Sequence, residues 1–150
     1  REPRLLSLLA ERLEASEDPC TQALASLAAA NLAAHACAAA AGGAERPEEG
    51  LGANLGCLVP ALLSSLGRVP QLPRTTDIGV VCTAHGIRAL SSLLSLRAAG
   101  VTASIVRGGT LDTVRAVFDA CFGDDPFPCS GEERTAVLCG TVLLLRNWAA

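Results

Sequence analysis

The last third of the chain runs VTASIVRGGTLDTVRAVFDACFGDDPFPCSGEERTAVLCGTVLLLRNWAA, from Val101 to Ala150, and its punctuation divides it into three helices of increasing length. A short apolar stretch, Thr102 to Arg107, is closed by Gly108-Gly109. Thr110 is then placed to cap a middle helix whose Leu111, Val114, Val117, Phe118, Cys121 and Phe122 share one side. Asp112 sits in the first turn, where negative charge is favoured, and Gly123 is the stop. After the turn DDPFPC, Ser130 and Glu133 form a capping box, and a long helix runs towards Trp148. That helix is apolar nearly all round, so the sequence predicts that something covers it.

Working outward, the same punctuation recurs upstream. Leu5, Leu6, Leu8, Leu9 and Leu13 have helical spacing, with Glu11, Arg12 and Glu14 opposite. Asp18 followed by Pro19 restarts the chain, because the carboxylate accepts from orphan amides and proline at the first helical position loses no hydrogen bond. The next helix is expected from Pro19 to His35 or beyond, ending at Gly42-Gly43. Two segments, 42–53 and 67–76, carry glycine, proline and charge and read as loop insertions. Between them LVPALLSSL is a helix in which Pro60 must lie in the first turn. Thr75 or Thr76 is then expected to cap a long helix from Asp77 to about Ala99, weakened at Gly79 and Gly86, with Gly100 as its left-handed end.

Composition narrows the class. Half of the 150 residues are apolar, enough to bury a sizeable core in one domain spanning 1–150. The formal net charge of −3, with arginine as the sole strong cation, gives no broad basic face for nucleic acid. Seven cysteines form an odd set without paired spacing, which reads as buried thiols in a reducing compartment, cytoplasmic or nuclear. The longest apolar run, Ala136 to Leu145, is too short for a membrane span, and the alanine-rich stretch Ala23 to Ala41 reads as a buried helix. Arg1 opens the chain and a helix is under way by Leu5, so the chain reads as a piece of a longer protein.

Three long helices close on similar phrases: AANLAA at Ala29 to Ala34, LSLRAA at Leu94 to Ala99, and LLRNWAA at Leu144 to Ala150. Recurrence of this kind marks stacked helical repeats. The order short, middle, long resembles the armadillo repeat, whose middle helix carries a phrase like LPALVQLL and whose third helix ends in a phrase like ALxNLA. Val59 to Leu66, VPALLSSL, matches the first, and Asn31 and Asn147 stand where the family has its third-helix asparagine. The resemblance implies an all-α, right-handed, armadillo-like helical solenoid of two to three repeats. It further implies a concave groove that holds a peptide or helix of another protein, and further repeats stacking at the Trp148 end. Arg97 or Leu96 replaces the expected asparagine in the central phrase. Leu27 and Leu143 stand where peptide-holding members have tryptophan, which argues against an import receptor.

The groove candidates on this reading are Asn31, Arg97, Arg146 and Asn147, with Arg97 suited to a carboxylate. Two readings stand equal for the asparagines, ligand contact and satisfaction of local backbone groups. Cys82 with His85, and His35 with Cys37, raise the question of a zinc site or a thiol enzyme. No CxxC, HExxH or GxSxG motif accompanies them, so neither a metal nor a catalytic residue is assigned. The expected role is a protein-binding scaffold or adaptor with no cofactor. A spacer within a longer solenoid and, further off, a helical enzyme or metal-binding domain are the alternatives.

Overall fold

The computed structural model describes residues 2–15, 17–43 and 54–149, and every regular element among them is helical. The described residues form seven α-helices: α1 Glu2–Ala15, α2 Pro19–Ala41, α3 Leu58–Arg68, α4 Ile78–Ser95, α5 Ala99–Arg107, α6 Thr110–Phe122 and α7 Gly131–Ala149. Single 3₁₀ turns, Leu55–Cys57 and Val69–Gln71, flank α3. Most of the first expected insertion, residues 44–53, lies outside the described residues.

Local chemistry sets several helix ends as the sequence predicts. Asp18 accepts from the Cys20 amide at 3.2 Å and from the Thr21 hydroxyl at 2.8 Å, with Pro19 leading α2. The capping box of α7 is complete: the Ser130 amide donates to Glu133 at 3.0 Å and the Glu133 amide to Ser130 Oγ at 3.2 Å. Pro60 falls in the first turn of α3, and Gly123 follows the last residue of α6.

Other ends differ from expectation. Asp77, not Thr75 or Thr76, precedes α4, and it makes no side-chain capping bond. That helix stops at Ser95 because Arg97, with φ of 58°, takes the left-handed turn expected of Gly100, which lies inside α5. Gly109, at φ 71°, precedes α6 in place of Thr110. Thr110 is buried within that helix, its hydroxyl donating to the Ile105 carbonyl at 2.6 Å.

The helices pack in two rows. In the first, α4 lies between α2 and α7; in the second, α3 lies between α1 and α6, and α5 bridges α4 and α3. The long helices run parallel. Cys82 meets the Pro19 carbonyl at the start of α2, Arg88 meets Asn31 further on, and Ser92 and Ser95 meet Cys37 near the end. Likewise Ile87 lies against Gly140, and Ser91 against Asn147. Facing positions are therefore 57 residues apart at Asn31 and Arg88 and 56 apart at Ser91 and Asn147. The three recurring phrases do not share this register: Asn31 opposes Arg88, and Asn147 opposes Ser91.

The core is centred on α4, whose Ile87, Leu90 and Leu93 are fully buried. Facing it, α2 contributes the small buried residues Ala29, Ala30, Ala33 and Ala36. Each methyl is worth only about 0.8 kcal/mol on burial, so α2 is held by close approach more than by bulk. Gly79 and Gly86 serve the same end. A side chain at Gly79 would overlap the Phe127 ring, and a Cβ at Gly86 would lie 2.7 Å from Leu66. On α7 only Val137 and Leu144 are buried, while Leu138, Val142, Leu143 and Leu145 are exposed. Trp148 is half-buried and packs against the core.

Candidate binding groove

The seam between α4 and α7 opens outward into a groove. Its α4 wall is Ala84, His85 and Arg88, and its α7 wall is Ala136, Cys139, Gly140 and Leu143, enclosing about 300 Å³. These spacings of one, three and four residues place each set on a single helix face. Gly140 forms the floor, where a Cβ would meet Ile87 at 3.4 Å, an ordinary van der Waals contact. An adjoining apolar patch of Leu138, Cys139, Val142 and Leu143 continues the groove across α7.

Two polar groups give the apolar trough its chemistry. The exposed Arg88 guanidinium donates to Asn31 Oδ1 at 3.3 Å, tying α4 to α2 along the groove's far side. His85 is half-buried, and burial, followed by the charge of Arg88, lowers its pKa below the ordinary imidazole value. Its ring is therefore neutral at pH 7 and offers both a donor and an acceptor nitrogen. The walls can take an apolar side chain while Arg88 receives a carboxylate or carbonyl.

Of the four residues singled out from the sequence, Arg97 meets Asn147, which Arg146 adjoins, whereas Asn31 meets Arg88 instead. Asn31 is exposed and belongs to the groove through Arg88. Asn147 is half-buried, and its amide nitrogen donates to the Ser91 carbonyl at 3.2 Å and to Ser91 Oγ at 3.1 Å. The local reading thus accounts for the hydrogens of Asn147. Arg97 donates to the Asn147 carbonyl at 2.9 Å and lines a separate depression with Thr102, Ala103, Val106 and Arg107. Arg146 is exposed on α7. Sequence reasoning missed His85, Arg88, Cys139 and Leu143 as groove residues. The signal available was the polar interruption at His85 and Arg88, on one face of an otherwise apolar helix.

The cysteine and histidine pairs diverge. Cys82 is buried, with its sulfur 3.7 Å from the Pro19 carbonyl, and burial pushes the thiol up to about 11, whereas His85 opens to the groove. Cys37 donates to the Ser92 carbonyl at 3.1 Å, and His35 is exposed. Among the described residues, no three His, Cys, Asp or Glu side chains converge. All seven cysteines are free thiols. Two helices, α2 and α4, are long and apolar enough to cross a membrane, and α4 is the helix enclosed between its neighbours. Compared with protein-family models, curated proteins and solved structures, the chain has no significant match.

Proposed function

We propose that this chain is a protein-binding adaptor built as a right-handed, armadillo-like solenoid, whose row of long helices holds a peptide or helical segment of a partner. Supporting the architecture, α2, α4 and α7 are parallel and end at Ala41, Ser95 and Ala149, with shorter α1, α3 and α6 behind them. The observation that carries the binding role is the open apolar groove between α4 and α7, rimmed by Arg88. Its ligand inserts an apolar side chain between Ala84 and Leu143 and sets a carboxylate on Arg88. No reaction, cofactor or metal is part of this role, and the seven free thiols fit a reducing intracellular compartment.

Selection of displayed random peptides on the wild-type protein tests this. Enriched sequences should pair an apolar with an acidic residue. Leu143→Glu should weaken them by at least about tenfold, and Arg88→Glu should shift the preference towards basic residues. Peptides that bind both variants as tightly as wild type would place recognition elsewhere. The spacer alternative draws on Asn147, whose amide is consumed in the seam between helices. It predicts that selection enriches nothing.

A further inference from the structure

We infer that the depression along α5 binds a phosphomonoester group, carried on a phosphorylated side chain of a partner peptide. It shares no residue with the groove between α4 and α7 and does not depend on that groove's role. Thr102, Ala103, Val106 and Arg107 lie on one face of α5, brought together by spacings of one, three and four residues. Arg97 closes the depression from the turn before that helix, and the space enclosed is about 470 Å³. The walls carry two guanidiniums and one hydroxyl, and no carboxylate. The sequence around them agrees. Between Asp77 and Asp112 it has three arginines, Arg88, Arg97 and Arg107, and neither aspartate nor glutamate, in a chain whose net charge is −3.

The donors at this site are unused. Arg107 is exposed and, among the described residues, makes no hydrogen bond or ion pair; the Thr102 hydroxyl makes none either, whereas the nearby Ser104 hydroxyl donates to the Gly100 carbonyl at 3.0 Å. Arg97 donates through one nitrogen to the Asn147 carbonyl at 2.9 Å, which fixes the guanidinium and leaves the hydrogens of its other two nitrogens for a ligand. Its backbone is also strained: φ is 58°, a value that glycine accepts freely and that no other described residue with a side chain adopts. Capping of α7 accounts for one nitrogen of Arg97 and for nothing at Arg107 or Thr102. A carboxylate is satisfied by one guanidinium, while two guanidiniums and a hydroxyl match the three oxygens and the charge of a phosphomonoester. Ala103 and Val106 offer apolar contact to the residue beside the phosphate, which favours a peptide. Two arginines are too few for a polybasic membrane patch, and no aromatic ring lines the walls for a nucleobase to stack on.

Selection on the wild-type protein from degenerate peptides with a fixed central phosphoserine tests this. Phosphatase treatment of the enriched peptides should weaken binding by at least about tenfold, and Arg97→Gly and Arg107→Gln should each do the same. Both variants should keep the wild-type helical circular dichroism, because glycine suits the left-handed backbone at position 97 and residue 107 is exposed and unbonded. Arg115→Gln, which removes the same charge from an exposed position on α6, should bind like wild type. Peptides that bind equally well without the phosphate, or that ignore either change at the site, would overturn the inference. An equal loss in Arg115→Gln would overturn it too, by reducing the effect to net charge. So would displacement of the peptides by inorganic phosphate at equal concentration, which would make this a site for the free ion. A selection that enriches no phosphopeptide would also end it, and retention of the protein, through Arg97 and Arg107, on phosphatidylcholine vesicles containing a phosphatidylinositol phosphate would then assign the depression to a membrane surface.

Discussion

Replacing Gly79 by alanine separates packing from helix propensity, because the two act with opposite sign. Alanine in place of glycine favours a helix by at most about 1 kcal/mol, and less in the first turn, where Gly79 lies. Against this, the new methyl would enter the space of the Phe127 ring, which is fully buried. The ring cannot simply retreat. The Phe127 amide donates to the Ala120 carbonyl at 3.3 Å, and the Arg74 guanidinium lies 4.1 Å above the ring centroid. Arg74 is itself held by the carbonyls of Leu72, Pro70 and Asp125 at 2.7, 2.9 and 2.9 Å. Overpacking of this kind costs about 1–3 kcal/mol, and displacing the ring from the guanidinium adds roughly 0.5–1. The expected net effect is about 1–3 kcal/mol of destabilisation, read as a lower urea midpoint at unchanged slope. Gly67→Ala, with nothing within 4 Å of its Cβ, is the control and should be stabilised by roughly 0.5–1 kcal/mol. Combined with Phe127→Leu, Gly79→Ala should cost at least about 1 kcal/mol less than the sum of the single changes. A Gly79→Ala protein as stable as wild type, or additive with Phe127→Leu, would refute the account of this contact.

Asn147→Ala removes both bonds to Ser91 and should cost about 1–2 kcal/mol in chemical denaturation; no loss would mean that the seam between α4 and α7 is held by apolar contact alone. The Asp18 carboxyl is held below its ordinary pKa, chiefly by the Thr21 hydroxyl and then by the Cys20 amide. Its stabilising effect is present above the unfolded-state pKa and is lost as pH falls through the lower folded value. An NMR titration should therefore show Asp18 moving up towards the ordinary carboxylate range in Thr21→Val, and an unmoved midpoint would contradict the assignment. Iodoacetamide at pH 8 should modify exposed Cys139 about a hundredfold or more faster than Cys82, whose buried thiol sits at about 11, and equal rates would show that α4 is not enclosed as described.

Features written in neighbouring residues were the legible ones. Asp18 with Pro19, Ser130 with Glu133, and Pro60 each fix a helix start through bonds made or forgone within a single turn. The end of α4 was not legible, because an arginine occupies the left-handed position normally assigned to the glycine three residues on. Nor was Thr110, whose hydroxyl has two local options, its own helix start or the carbonyl of Ile105. The tertiary position of α5 decides for Ile105.

Register between helices is the larger gap, and it bears directly on where the site lies. Matching the phrases around Asn31, Arg97 and Asn147 supposes that similar residues occupy equivalent places. Neighbouring helices are instead seated by the contacts along their whole faces. Gly86 leaves room for Leu66 of α3, since a Cβ there would stand 2.7 Å from it, while a Cβ at Gly140 would meet Ile87 in ordinary van der Waals contact. That seating carries Arg88 opposite Asn31 and leaves Asn147 facing Ser91. The arginine suited to a carboxylate at the groove is then Arg88, and Arg97, displaced past the end of α4, donates to the Asn147 carbonyl. The groove's arginine is thus one that the recurring phrases pass over, because packing between helices, not likeness of phrase, sets which positions face each other.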